Sequence, residues 1–290
     1  MTDTLREPAF VRALGRSAVV ARHFYRVGSP HFPVGTVPLR IAHVTDLHIG
    51  RMTPEARLQM ALDAVNALEP DVICLTGDYV AHSLEYLPRL THLLRSVRVP
   101  TFATLGNHDH WHGADAVRRA LEHANVRVLS NETTVFEHAG QRWNIVGIDD
   151  AVTGHHDVGR AFEGVEAGAP VLALSHLAEL AGALAHRGAA LVLSGHTHGG
   201  QIHTGGVMER FMRRLGHRYI LGWYHVGDVP VYVNRGIGAA VFPWRTHPAA
   251  AEVAGIELGP APQLTIEESP RVVRWPPRSG SEMQIQDDKS

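Results

Sequence analysis

The chain predicts an α/β fold, two mixed β-sheets packed face to face with helices outside, and three observations carry that expectation. From residue 38 short apolar runs alternate with amphipathic stretches, the pattern of strand–helix units. Past residue 125 the apolar runs crowd together, at 126–129, 133–137 and 142–148, which predicts a second, more antiparallel sheet. Five apolar runs also end in residues with metal-ligand chemistry. In α/β sheets such groups meet beyond the carboxyl ends of the strands.

The segment 1–37 reads as a helix followed by a connector. Between residues 10 and 26, Phe10, Leu14, Ala18, Ala21 and Tyr25 share one helical face, with Arg12, Arg16, His23 and Arg26 mainly opposite. A short basic amphipathic helix is therefore expected. It would lie on an anionic membrane surface or pack on its own domain. Gly15 weakens it, and Pro30, Pro33 and Pro38 favour an extended connector. A strand is expected at 39–44. The helix at 54–68 has Thr53 as its cap, Pro54 in its first position and a stripe of Leu58, Ala61, Leu62, Val65 and Leu68. A strand at 71–75, a helix at 84–97, a strand at 101–105 and a helix at 114–124 continue the alternation. After the three crowded strands come a strand at 171–174, a helix at 177–186 and a strand at 189–193. Residues 38–262 are expected to form one domain, and 263–290, polar and rich in Pro, Gly and Ser, a disordered tail.

Whole-chain properties narrow the function. The 290 residues are 44% hydrophobic, enough for a sizeable core. A net charge of -2 implies no global polyelectrolyte partner. The single cysteine, Cys74, excludes an intramolecular disulfide and sits in an apolar run, as a small core residue would. Histidine is the unusual count, 21 against 27 Lys plus Arg. Imidazole is the commonest metal ligand and the usual acid or base near neutral pH, so position must pick out the few that matter.

Position does so at the strand ends. Asp46 and His48 follow the first strand and Asp78 the second. Asn107, His108 and Asp109 follow the third, His176 the fourth, and His196 and His198 the fifth. Gly195, Gly199 and Gly200 let the backbone turn sharply around the last pair. Three oxygen donors (Asp46, Asp78, Asn107) and four imidazoles (His48, His176, His196, His198) are too many for one tetrahedral zinc. They suit two first-row transition ions sharing a carboxylate, not the all-oxygen sets of calcium and magnesium.

Together, Asp46-x-His48, Gly77-Asp78, Gly106-Asn107-His108-Asp109, His176 and Gly195-His196-x-His198 resemble the five blocks of the calcineurin-like metallophosphoesterases. Gly199-Gly200-Gln201-Ile202 and Asn234-Arg235-Gly236-Ile237-Gly238 are similar to a bacterial branch with envelope- and membrane-associated phosphoesterases, some of which cleave UDP-diacylglucosamine. The resemblance implies a four-layer α-β-β-α sandwich and two divalent ions, Mn, Fe or Zn. Asp46, His48 and His198 would hold the first ion, Asn107, His176 and His196 the second, and Asp78 would bridge them. It implies hydrolysis of a phosphodiester or pyrophosphate bond by a hydroxide shared between the metals. His108 would stabilise charge or protonate the leaving group, with Asp109 orienting it. A scaffold that had lost catalysis would be expected to lack a ligand or His108, and none is missing.

Substrate clues are fewer. Segment 208–226 combines Arg210, Arg213, Arg214, His217 and Arg218 with Phe211, Met212, Leu215, Tyr219, Trp223 and Tyr224. With the branch resemblance, this favours a phosphorylated small molecule or lipid-linked substrate, met at a membrane surface through 10–26 and 208–226. The less favoured reading is a phosphodiesterase of nucleotides or nucleic acid, single strands included, and no obligate protein partner is implied. No signal peptide or membrane-spanning apolar run is present in the sequence, so a cytoplasmic protein, peripheral on the inner face of the membrane, is expected. Other polar residues have plainer readings. His43 is expected to be a packing or surface residue of its strand, His110 and His112 to flank Trp111 on a surface turn or, as the less favoured reading, to line a pocket wall, and His155 and His156 to be solvated. Asp149-Asp150 would form a turn or fix a loop near the site.

Overall fold

The computed structural model of the chain describes residues 20–32, 35–200, 206–239 and 250–268. Its first half contains β1 (Val20–Ser29), β2 (Leu39–Val44), α1 (Glu55–Ala67), β3 (Val72–Thr76), α2 (Leu87–Arg95), β4 (Thr101–Thr104), α3 (Asn107–His112), α4 (Ala114–Glu122), β5 (Arg127–Val128), β6 (Glu132–His138) and β7 (Gln141–Ile148). There follow α5 (Val158–Ala161), β8 (Val171–Ser175), α6 (Ala181–His186), β9 (Leu191–Ser194), α7 (Val207–Arg214), β10 (Gly222–Val226), β11 (Val229–Val233), β12 (Ala251–Pro260) and β13 (Thr265–Glu268). One sheet has the order β13-β1-β12-β2-β3-β4-β5 and the other β10-β11-β9-β8-β7-β6.

Alternation within each strand builds the four layers, because successive side chains face opposite sides. Ile41, Val72, Cys74, Leu172, Leu174, Leu191 and Leu193 point between the sheets, where Trp143 is fully buried against Phe32. Ala42, Val44, Ile73 and Leu75 point the other way and meet Leu58, Leu90, Leu93 and Leu121 of the helices on the first sheet. Val146, Val171, Ala173 and Val192 meet Ala181 and Leu184 on the second. Strands buried on both faces lack the polar alternation of a surface strand, which is why they read as continuous apolar runs. Each fully buried Leu or Ile contributes about 1.5–3 kcal/mol by leaving water, so both sheets are held by their two faces at once.

Several expectations change. The second sheet is mostly parallel rather than antiparallel, with two antiparallel pairs of five against two of six in the first. β7, β8, β9 and β11 run parallel, and only the edge pairs β6–β7 and β10–β11 are antiparallel. The helix expected over 10–26 is replaced, from Val20 on, by β1, paired in parallel with β12 from Val20↔Ala251 to Ser29↔Pro260. Tyr25 and Val27 face the space between the sheets and Phe24 the helix side, a period of two that outweighs the helical stripe. Residues 10–19 lie outside the described residues. The disordered tail expected over 263–290 is contradicted at its start, because Thr265–Glu268 pairs antiparallel with β1; residues 269–290 lie outside the described residues. The unit drawn at 38–262 thus extends to β1 and β13. Thr53 does not cap α1 with its side chain. Its hydroxyl donates to the His48 carbonyl (2.8 Å) and accepts from Ala239 N (3.2 Å), tying a site loop to the chain before β12. Among the described residues no helix is long and apolar enough to cross a membrane.

His43 is a packing residue, not a surface one. It is fully buried between the sheets, bonded through Nε2 to Thr76 Oγ1 (2.9 Å) and edge-on to Tyr232. Burial pushes its pKa from 6.5 down to about 3. A folded pKa below the unfolded one means the unfolded chain takes the proton more readily, so stability is full above pH 6.5 and falls as pH drops toward 3. Between these limits the wild type is expected to lose about 1.4 kcal/mol more per pH unit than His43→Gln. Urea melts at stepped pH give the two slopes, and parallel slopes would refute the assignment.

Candidate metal centre

The strand ends of both sheets deliver their polar residues to one place. Asp46 and His48 lie just past β2, Asp78 past β3, Asn107 past β4, His176 past β8, and His196 and His198 past β9. Main-chain hydrogen bonds fasten these loops to one another. Asp46 N donates to Gly77 O (2.9 Å), His48 N to Asp78 O (3.0 Å) and Gly195 N to His176 O (3.1 Å). The backbone turns sharply at each site. Asp46, His48, Asp78, His196 and His198 have φ of 51°, 39°, 56°, 72° and 53°. Such left-handed geometry costs about 1–3 kcal/mol per non-glycine residue. The conformation splits His196 from His198, which an extended strand would have aimed to one side.

Two clusters result, and Asp78 touches both. In the first, His198 Nε2 lies 3.0 Å from His48 Nε2 and 3.3 Å from Asp46 Oδ1. In the second, His176 Nε2 lies 3.2 Å from both Asn107 Oδ1 and His196 Nδ1. Asp78 Oδ2 is 3.4 Å from His48 Nε2 and 3.4 Å from His176 Nε2. The seven residues expected as ligands are thus gathered, with one carboxylate oxygen between two nitrogen-rich pockets.

The outward-facing atoms are already bonded, which aims the inward-facing ones. Asp46 Oδ2 accepts from Thr45 Oγ1 (2.8 Å) and His196 N (3.0 Å), and Asp78 Oδ1 from His108 N (2.9 Å). His176 Nδ1 donates to Thr76 O (2.6 Å), leaving Nε2 as its lone-pair nitrogen. Asp46 Oδ1 is buried without a hydrogen-bond partner. Facing imidazole nitrogens and an orphaned carboxylate oxygen form the donor set a divalent transition ion takes, so the residues fit a metal.

Electrostatics agree. Burial by itself would raise Asp46 and Asp78, but His198 and His48 around Asp46, and His176 beside Asp78, hold both below the usual carboxylate range. Burial opposes charge on His176, yet Asp78 and Asp46 outweigh it and push its pKa up to about 10. Burial and then the His176 charge push His196 down to about 4. The carboxylates therefore call for positive charge at their centre.

Two glycines make room for this. A Cβ on Gly195 would overlap Thr45 Oγ1 and Asp46 Oδ2, and one on Gly236 (φ 74°) would come within 2.6 Å of Asp46 Cβ. Gly236 belongs to the strap Asn234–Gly238, which backs the first loop. Asn234 Nδ2 donates to His43 O (3.0 Å), Ile237 N to Thr45 O (3.1 Å) and Gly238 N to Asp46 O (2.7 Å). Thr45, Thr76 and this supporting role of the strap went unnoticed in the sequence. Only the polar-rich strap hinted at it, because buttressing residues carry no ligand chemistry of their own.

His108 and Asp109 open α3, a helix the sequence reading did not anticipate. His108 packs edge-on to His48, with ring centroids 4.7 Å apart, and burial lowers its pKa. Its Nδ1 bonds to Ala81 O (2.7 Å), so the Ala81 carbonyl, not Asp109, orients the ring. Asp109 instead accepts from four backbone N–H groups: Asp78 (2.9 Å), Tyr79 (2.8 Å), Val80 (3.3 Å) and Gly106 (2.9 Å). His110 is no bystander on a turn. It bonds to Asp149 Oδ1 (2.7 Å), which raises its pKa, and stacks on His155 at 4.1 Å. Asp150 is buried and accepts from Thr153 N and Oγ1, each at 2.7 Å, a loop-fixing turn.

Comparison with known proteins agrees with this geometry. Residues 39–200 match the model of the family described as calcineurin-like phosphoesterase. The chain is 29% identical over 243 residues to phosphodiesterase YaeI of Escherichia coli (strain K12), covering 82% of this chain and 84% of that protein. It is 28% identical over 234 residues to an uncharacterized metallophosphoesterase of Helicobacter pylori (strain J99), spanning 78% of this chain but only 61% of the relative. Among solved structures, Haemophilus influenzae NAD nucleotidase has the same fold, with a TM-score of 0.52 at 15% identity over 80% of this chain and 55% of that one.

Proposed function

Because the chain belongs to the calcineurin-like phosphoesterase family and is a metal-dependent phosphoester hydrolase, we propose that it cleaves a phosphodiester or pyrophosphate bond with two divalent transition ions, one per cluster. The observation that supports this most is Asp78 Oδ2, equidistant at 3.4 Å from His48 and His176. Asp46, His48 and His198 would hold one ion, Asn107, His176 and His196 the other, and Asp78 both. Manganese, iron and zinc all suit mixed imidazole and carboxylate donors. Bound there, the ions would supply Lewis-acid charge and acidify water. The remaining steps fall to the chain. His108, held by Ala81 O, presents its other nitrogen to the leaving oxygen and protonates it when charged. The strained loops keep the donors fixed before substrate arrives, so little reorganisation is left for the reaction.

The substrate class we infer is an amphipathic phosphorylated molecule, such as a UDP-diacylglucosamine, met at a membrane surface. α7 supports this reading. Val207 and Phe211 of the helix and Leu215 at its C-cap, spaced four apart, are 65%, 54% and 60% exposed, with Arg210, Arg213 and Arg214 in its last two turns. The helix lies next to the site, since a Cβ on Gly200 would come within 3.0 Å of Met208 Cγ. Exposed Trp111, 5.0 Å from the His108 ring, offers a further apolar surface there. A panel of UDP-diacylglucosamine, cyclic nucleotides and single-stranded DNA, assayed with manganese, tests the reading. The acylated substrate is expected to turn over fastest. Phe211→Asp is expected to lower kcat/KM for it about tenfold more than for bis-p-nitrophenyl phosphate. Preference for DNA or a cyclic nucleotide would overturn the substrate class while leaving the hydrolase.

A further inference from the structure

A third imidazole cluster stands beside the two that share Asp78. His108 and His112 lie four residues apart on α3, and so on one face of it. His82 comes from the turn after β3, whose Ala81 carbonyl is bonded to His108. The ring centroids are 5.8 Å apart for His82–His108, 6.1 Å for His82–His112 and 6.1 Å for His108–His112. One ring nitrogen of each lies within 4.8 Å of those of the other two. Tetrahedral zinc with Zn–N of about 2.0–2.1 Å needs nitrogens about 3.4 Å apart. The rings must therefore close by at most about 1.4 Å. His82 is exposed and His112 half-buried, so small side-chain rotations suffice.

We propose that His82, His108 and His112 form a third metal site, selective for zinc-like ions and inhibitory when filled. Selectivity follows from the donors. Three neutral imidazoles with no carboxylate suit zinc and not the harder manganese or magnesium. The order of filling follows from charge. The other two clusters contain Asp46 or Asp78, whereas this one brings no anion, so it takes zinc last. Inhibition follows from His108. With one nitrogen bonded to Ala81 O, it has a single nitrogen to give and cannot serve the leaving group and zinc together. This last step rests on the role proposed above for His108; the site itself does not.

The test is equilibrium dialysis of the full chain against rising free zinc, with bound zinc measured by mass spectrometry and turnover of bis-p-nitrophenyl phosphate followed in parallel. The wild type, His82→Asn and His112→Asn are compared, with matched melting temperatures as the folding control. The wild type is expected to bind one more zinc per chain than either variant, and to lose turnover about tenfold as that extra zinc binds. Each variant is expected to match wild-type turnover at low zinc and to need about tenfold more zinc for inhibition. Equal zinc uptake by all three proteins overturns the site. An extra zinc without inhibition overturns its link to His108. A failure of the two-ion centre would lower the plateau common to all three proteins and leave their difference unchanged.

Discussion

Asp78→Asn is expected to abolish turnover of bis-p-nitrophenyl phosphate, by roughly a thousandfold or more, and to lower bound metal from the proposed two ions per chain to one or none. The change is isosteric and keeps an oxygen for the His108 N–H, so the loop is retained. What goes is the anionic oxygen standing 3.4 Å from a nitrogen of each cluster. Charge stabilisation by clustered cations is worth several kcal/mol in the transition state, and about 4 kcal/mol is a thousandfold in rate. Metal analysis after dialysis and steady-state kinetics check both halves. Near-normal turnover with two ions bound would end the bridging assignment.

Asp109→Asn and His108→Gln, neighbours in sequence, are expected to fail in different ways. Asp109 is fully buried and accepts four backbone N–H groups from the two loops that carry Asp78 and Asn107. Burial and the Asp78 charge push its carboxyl up, and those N–H groups work against that shift. An amide in its place would set an NH2 against N–H donors, costing about 3 kcal/mol, or roughly 5 °C in Tm for a chain of this size. Activity would fall with it as the loops drift. His108→Gln removes a half-buried ring that holds no other loop by hydrogen bonds than that of Ala81, and glutamine keeps a polar group there, so Tm should hold while kcat falls about 10²–10⁴-fold. Thermal melts paired with kcat separate the two. Asp109→Asn with a wild-type Tm and no activity would restore a direct role for Asp109 toward His108.

That contrast marks how far the sequence could be read. Asp46, His48, Asp78, Asn107, His176, His196 and His198 were legible because each stands just past an apolar run. Strand ends are local features, and the polar residues after them had no packing role to explain them. β1 was not legible, because its partner β12 lies 231 residues further on, from Val20↔Ala251. Local periodicity cannot register a partner so distant. Asp109 was misjudged for a related reason. Beside His108 in sequence, it turns instead to the loop of Asp78 and Tyr79, about thirty residues upstream.

By itself the sequence determined the alternating layers and which polar residues follow the strand ends, since these depend on side-chain type and on spacing along single strands. The grouping of the donors, with Asp78 between the groups, was implied by the family resemblance and not by spacing along the chain; the structure gives it distances, 3.4 Å from Asp78 Oδ2 to a nitrogen of each pocket, and tertiary structure alone decided that Ala81 aims His108. It also decided that His82 meets His108 and His112. The physical reason is that distances between loops on different strands are set by sheet packing and by strained left-handed turns, and neither leaves a periodic trace in the residues it positions.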